Sequence, residues 1–187
     1  MTVSTLDPKA ALVVVDLQKG TAGLSAVHPI ADVVGNSARL AAAFRTHGLP
    51  VVLVTATGMA PGRTQSPSRV SGSLPPDFGD LLPELDAQPT DILVTKQRWG
   101  AFTGTTLDAA LQEHGVTQVV VTGVATQFGV ESTARSAHEH GYHVVLVTDA
   151  MTTYDADAHE NSVERIFPRL GETGTTDEVL ELLAKTR

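Results

Sequence analysis

The sequence predicts a three-layer α/β/α protein built on a doubly wound, mainly parallel sheet. Three observations predict it. Five short runs rich in β-branched residues recur along the chain, helical patterns lie between them, and most of the links are short. A brief continuous apolar run suits a strand buried on both faces, as parallel strands are, and strand–helix alternation is how such a sheet is wound.

The first run is Ala10-Ala11-Leu12-Val13-Val14-Val15, which breaks at Asp16. Residues 51–55, 91–95, 118–122 and 143–147 read as strands in the same way. Between them, residues 29–47 place Ile30, Val33, Val34, Leu40, Ala41 and Phe44 at three- and four-residue spacing, with Gly48 as the C-terminal stop. Residues 106–114 form a second helical pattern ending at Gly115, and residues 132–140 a third ending at Gly141. Two more are expected over residues 157–167 and 177–185, the last opened by Thr176 with Asp177 and Glu178 in its first turn.

One segment departs from the alternation. Residues 58–89 hold Pro61, Pro67, Pro75, Pro76, Pro83 and Pro89 among many Gly and Ser. That is too long for an ordinary connector, and long loops on compact domains are often lids or binding loops; the alternative is an ordered surface loop. The chain, residues 1–187, shows no internal repeat and reads as one domain.

Composition narrows the function. A hydrophobic fraction of 42% is that of an ordinary soluble protein, while aromatics at 4% leave Val, Leu and Ala to fill the interior. A formal charge of −8 repels phosphate backbones and anionic bilayers, so neither nucleic acid nor membrane is an expected partner. No apolar stretch approaches the roughly 20 residues of a transmembrane helix. Residues 1–9 lack the apolar core of a signal peptide, which predicts a cytoplasmic protein. The chain contains no cysteine, which excludes disulfides, thiolate nucleophiles and Cys-type zinc sites.

Open parallel sheets bind ligands beyond the carboxyl ends of their strands. Asp16 follows the first predicted strand, Lys96 the third, and Gly123-Val124-Ala125-Thr126 the fourth. An acid and a base at the ends of adjacent strands share one crevice, although a lone Asp there is as readily a turn cap and a lone Lys a solvated cation. There is no GxGxxG, GxxxxGK[ST] or GxSxG motif, so neither a nucleotide nor a serine triad is indicated. His138 and His140 stand two apart on one presumed helix and point away from each other. Neither a metal nor another cofactor is expected.

Three blocks carry a family resemblance: Val15-Asp16-Leu17-Gln18, then residues 95–102 (Thr-Lys-Gln-Arg-Trp-Gly-Ala-Phe), then residues 122–135 (Thr-Gly-Val-Ala-Thr-Gln-Phe-Gly-Val-Glu-Ser-Thr-Ala-Arg). With His159, residues 167–171 (Phe-Pro-Arg-Leu-Gly) and residues 176–180, they make the chain similar to the isochorismatase-like superfamily, also called cysteine hydrolases. Most members are amidases with an Asp–Lys–Cys triad. The resemblance implies Asp16 as the general acid or base and Lys96 as its cationic partner, and aligns the nucleophile with Gly129. Glycine has no group to attack a carbonyl, so the thioester route is closed.

True isochorismatases carry glycine at this position and hydrolyse a vinyl ether without a covalent intermediate. The resemblance therefore implies Asp16 as the proton donor in hydrolysis of a small anionic substrate, with Lys96 and Arg98 holding its carboxylate. It also implies Gln18, Trp99, Ala125, Thr126, Gln127 and Phe128 as substrate contacts, a cis peptide between Val124 and Ala125, and a homodimer or homotetramer. Ala125, Thr126 and Gln127 stand where true isochorismatases have Tyr, Ala and His, which resembles the amidase branch more closely. Two alternatives stay open: an amide hydrolase in which Asp16 activates water, and a catalytically silent binding protein. Trp99, Phe102 and Phe128 are pocket or core residues, and Arg63 and Arg69 either reach an acidic substrate or are loop charges. Burial of Asp16 would raise its pKa and contact with Lys96 would lower it, so contact predicts an ionised Asp16.

Overall fold

β1 (Ala10–Val15) is buried along its whole length, and its side chains divide by the two-residue period of a strand. Ala10, Leu12 and Val14 join one hydrophobic cluster, with Phe44, Leu40 and Leu183, whereas Ala11, Val13 and Val15 join the other, with Leu111, Ala134 and Phe167. The two clusters are the two faces of a sheet covered by helices on both sides. The computed structural model describes residues 2–23, 25–66 and 73–186, so Arg69 lies outside the described residues.

The sheet has six strands in the order β3-β2-β1-β4-β5-β6, all paired in parallel: β2 (Val51–Ala56), β3 (Ile92–Lys96), β4 (Gln118–Val124), β5 (His143–Thr152) and β6 (Glu172–Gly174). The helices are α1 (Ile30–Thr46), α2 (Leu107–Glu113), α3 (Glu131–Glu139), α4 (Ala156–Asn161), α5 (Phe167–Leu170) and α6 (Thr176–Thr186). This is the α/β architecture predicted. Gly48, the predicted stop of α1, takes the left-handed conformation with φ +67. No helix among the described residues is long and apolar enough to cross a membrane.

Four features differ from the expected pattern. β6 is a sixth strand, three residues of Glu-Thr-Gly with no apolar run to mark it. The helix expected over residues 157–167 is three pieces, α4, a π-helical turn at Ser162–Ile166, and α5. β3 is an edge strand rather than one buried on both faces, and Leu93 stays 65% exposed. Among its described residues, the crossover from β2 to β3 contributes a short 3-10 turn at Pro83–Leu85 and no α-helix to cover it. Finally, Asp16 and Lys96 do not sit on neighbouring strands, because β2 lies between β1 and β3.

Strand order reverses at β1, whose neighbours β2 and β4 are wound in opposite directions. Such a switch point opens a crevice beyond the strands' carboxyl ends. Gly123, near the end of β4, is required there: its φ is +117, and an added Cβ would overlap the Val15 carbonyl.

Candidate active site

The chain leaves β1 through Asp16, whose φ of +53 is unusual for a residue with a side chain. Its N–H still donates to the Val54 carbonyl at 2.9 Å, so the ladder with β2 continues while the carboxylate turns to the strand end. The Thr21 hydroxyl fixes that turn by donating to the Asp16 carbonyl at 2.6 Å. Lys96 closes β3, in register with Ala56 at the end of β2. With only a methyl at Ala56, the long lysine side chain passes over β2 and donates to Asp16 Oδ2 at 2.7 Å. A second bond runs from Nζ to the Arg98 carbonyl at 3.0 Å. Both members are buried, Asp16 to 8% and Lys96 to 3% exposure.

Asp16 Oδ1 is also buried and has no hydrogen-bond partner among the described residues. Burial raises the Asp16 pKa from 3.8 to about 6 even though Lys96, by charge and hydrogen bond, lowers it. Desolvation outweighs the ammonium here, so contact with lysine does not hold the carboxyl below its ordinary range.

β4 ends at a cis peptide between Val124 and Ala125, the position expected. A π-helical turn, Thr126–Val130, follows and leads into α3. It presents Gly129 to Asp16: a Cβ at Gly129 would lie 3.0 Å from the Val124 carbonyl oxygen, 3.1 Å from Asp16 Oδ2 and 3.1 Å from Val15 Cγ1. The glycine carbonyl accepts from the Thr133 hydroxyl at 2.7 Å, one turn into α3.

A cavity of about 160 Å³ opens between these elements. Asp16, Lys96, Arg98, Trp99, Ala125, Phe128 and Gly129, seven of the residues expected at the site, line it together. Trp99 packs on Phe128 with ring centroids 4.7 Å apart, although half of Trp99 remains exposed. Phe102 belongs instead to the core beneath α2 and α3. Arg63 is exposed and away from the cavity.

Three of the expected contacts, Gln18, Thr126 and Gln127, do not line this cavity. Gln18 is fully buried and does not line the cavity. Its amide nitrogen donates to the Ala56 and Phe78 carbonyls at 2.9 and 2.8 Å, and its oxygen accepts from the Ala56 N–H at 2.7 Å. Both amide N–H groups and one lone pair of the oxygen are thereby spent on backbone. Thr126 is buried behind the turn, its hydroxyl bonded to His159 Nδ1 at 2.9 Å. Gln127 also lies off the cavity, its Oε1 buried without a hydrogen-bond partner among the described residues.

Sequence reasoning missed Met59, Leu74 and Phe78, which the proline-rich segment brings to the same cavity. The residues 77–82 strip lies along residues 17–20: the Lys19 and Gly20 N–H groups donate to the Asp80 and Phe78 carbonyls. Gly20 has no side chain for a reason, since a Cβ there would overlap the Phe78 ring. A lone aromatic in a Pro/Gly-rich stretch was the available signal. Among the described residues, no group of three or more His, Asp or Glu is placed to hold a metal ion.

Residues 10–178 match the family model of the isochorismatase domain. The chain is 40% identical over 179 residues to the isochorismatase family protein YwoC of Bacillus subtilis, covering 92% of this chain and 93% of that one. It is 31% identical over 205 residues to the ureidoacrylate amidohydrolase RutB of Variovorax paradoxus, covering 94% and 81%. Among solved structures, an isochorismatase family protein of Burkholderia thailandensis superposes with a TM-score of 0.93 at 42% identity, over 98% of this chain and all of that one.

Proposed function

The chain belongs to the isochorismatase family, whose members are hydrolases, and from that premise we propose that it hydrolyses a small anionic vinyl ether with Asp16 as general acid. The single observation that carries this reading is the Asp16 carboxyl: one oxygen held by Lys96, the other buried and without a partner among the described residues, and a pKa raised to about 6. At neutral pH about a tenth of such a group carries its proton, and the free oxygen is where that proton would sit.

In this mechanism the Asp16 proton goes to the methylene carbon of the vinyl ether, and the electron pair of the double bond forms the new C–H bond. The resulting oxocarbenium ion takes up water. The hemiketal then collapses to a ketone and an alcohol, and the proton released by water returns to Asp16. No covalent enzyme intermediate forms, which fits a chain without cysteine. Lys96 retains an N–H beyond its two bonds, and Arg98 stands at the same cavity, so the substrate carboxylate has cationic partners. Trp99, Phe128, Met59 and Phe78 offer apolar walls to the rest of a small substrate.

A second reading, C–N hydrolysis by water that Asp16 activates, has support in the activity named for the RutB relative. It needs room beside Gly129 for the water, and the position of a single added carbon there is already within 3.1 Å of three atoms. The first reading takes up a water as well, so the product released, rather than space beside Gly129, separates the two. As parts of the same proposal, the protein is cytoplasmic, acts as a homodimer or homotetramer, uses no cofactor, and has a small molecule rather than nucleic acid or membrane as its partner.

The test is pyruvate release from isochorismate, run beside ammonia release from a panel of small amides. Pyruvate release that Asp16→Asn abolishes supports the acid mechanism. Ammonia release alone transfers the assignment to C–N hydrolysis, and neither product supports a silent binding protein.

A further inference from the structure

The wall of the cavity formed by Ala125, Phe128 and Gly129 is a single π-helical turn and the residue before it. Its backbone closes on itself, with the Phe128 and Val130 N–H groups both donating to the Ala125 carbonyl, at 3.0 and 3.2 Å. A π-helical turn is an uncommon conformation, seen mostly as an isolated turn at functional sites. Something outside the turn must therefore set where it lies.

α4 supplies that reference from behind. The Thr126 hydroxyl, fully buried at the start of the turn, meets His159 Nδ1 of α4 at 2.9 Å. At the other end of the turn, Ser162, directly after α4, donates to Glu131 Oε2 at 2.6 Å. The two bonds bracket the turn from His159 in α4 and from Ser162, three residues further on. α4 is itself fixed by its N-cap, where Asp155 Oδ1 accepts from the Ala158 N–H at 3.0 Å.

His159 is also held from its far side. The His28 ring stands edge-on to it with centroids 4.9 Å apart. His28 in turn is tied to the end of β5, its Nδ1 3.0 Å from the Met151 carbonyl and its N–H donating to the Thr152 hydroxyl at 2.8 Å. Burial first, and the neighbouring His28 second, lower the His159 pKa, so a neutral ring is favoured. In the Nε2–H tautomer, Nδ1 accepts the Thr126 hydroxyl proton, the only strong donor that threonine has.

We propose that His159 is a positioning residue of the active site, which through the Thr126 hydroxyl sets the turn carrying Ala125, Phe128 and Gly129 against Asp16. It touches no substrate. It acts on the wall that shapes the cavity, and this role rests on reading that cavity as the active site. Displacement of Thr126 moves Phe128, two residues on, and with it the Trp99 ring that packs on Phe128 at 4.7 Å.

Trp99 is the only tryptophan in the chain, so its emission reports the turn without any substrate. The experiment compares Trp99 emission and acrylamide quenching in His159→Phe, Thr126→Val and the double variant, with His159→Gln as the conservative replacement. Both single variants are expected to red-shift the emission and increase quenching to the same extent. The double variant is expected to add nothing further, because both ends of one bond have been removed, and His159→Gln is expected to restore part of the signal. Emission unchanged from wild type in either single variant, or shifts that add in the double, overturns the proposal. Thr126→Val keeps the volume of the side chain, so it carries the test alone if His159→Phe does not fold. A failure here removes the role of His159 and leaves the pyruvate assay free to support or refute the hydrolase reading on its own.

Discussion

Lys96 donates to one carboxylate oxygen of Asp16, at 2.7 Å, and the other oxygen has no hydrogen-bond partner among the described residues. A buried carboxylate that were only a structural counterion would be expected to have both oxygens bonded, because an unmet buried acceptor costs about 1–3 kcal/mol. The half-satisfied arrangement is better suited to a group that changes protonation state. Oδ2 stays with the ammonium while Oδ1 gains and loses the proton.

The direction of the pH–rate profile follows. With an Asp16 pKa of about 6, general-acid catalysis predicts that kcat/KM falls about tenfold per pH unit above that value. A general base of the same pKa predicts a rise to a plateau above it. Steady-state kinetics on either side of pH 6 therefore separate vinyl ether hydrolysis from water activation, and Asp16→Asn is expected to lose about 10²–10⁴-fold in turnover in either case.

The same carboxyl links stability to pH. Its native pKa of about 6 lies above the ordinary 3.8, so the native state holds the proton more tightly than the unfolded chain. Between those values the native state binds more protons, and stability must fall as pH rises. The full displacement, from 3.8 to about 6, corresponds to about 3 kcal/mol. Denaturant titrations across this window are expected to show the fall in wild type and to lose it in Asp16→Asn. Lys96→Met takes away the cation and leaves a buried carboxylate alone, a change that costs about 3–5 kcal/mol. That loss is expected to be largest at alkaline pH and smallest where Asp16 is protonated.

The parts of this molecule legible in its sequence are those governed by local pattern. β1, β2, β4 and β5 announce themselves because burial on both faces demands continuous apolar runs, and Asp16 and Lys96 stand out as the polar residues that end two predicted strands. β6 does not, because three residues at a sheet edge need no apolar pattern to pair with β5. Strand order is equally silent: nothing local says that β2 separates Asp16 from Lys96, or that Ala56 is the gap through which the lysine passes. Gln18 is a substrate contact only by what the family resemblance implies, and the fold shows its amide bonded to backbone. The pairing of Thr126 with His159 joins residues 33 apart in sequence and has no periodic signature.

Gln18 ties the end of β2 to the strip that carries Phe78. Gln18→Leu takes the Gln18 amide away from the Ala56 N–H and carbonyl and leaves the Phe78 carbonyl with the Gly20 N–H alone; an unmet buried group costs about 1–3 kcal/mol. The variant is expected to melt at a lower temperature, with faster hydrogen exchange at the Ala56 amide. Phe78 lines the cavity while Asp16 and Lys96 are held by other bonds, so the kinetic effect is expected in KM more than in kcat.

Gly129 decides whether this site is an amidase site without its thiol or one reshaped around the glycine. A Cβ at that position meets the Val124 carbonyl oxygen at 3.0 Å and Asp16 Oδ2 at 3.1 Å. The carbonyl belongs to the backbone at the end of β4 and has little room to move, so relief must come from the carboxylate, at the expense of its 2.7 Å bond to Lys96. Overpacking of this kind costs about 1–3 kcal/mol. Gly129→Ala is therefore expected to lower the melting temperature and to reduce hydrolysis by moving Asp16. Gly129→Cys is expected to do the same without gaining ammonia release from small amides, because its sulfur is carried on the Cβ that the site does not accommodate. Gain of amidase activity in Gly129→Cys, with stability unchanged, would show the opposite: a triad geometry that has kept its place for the thiol.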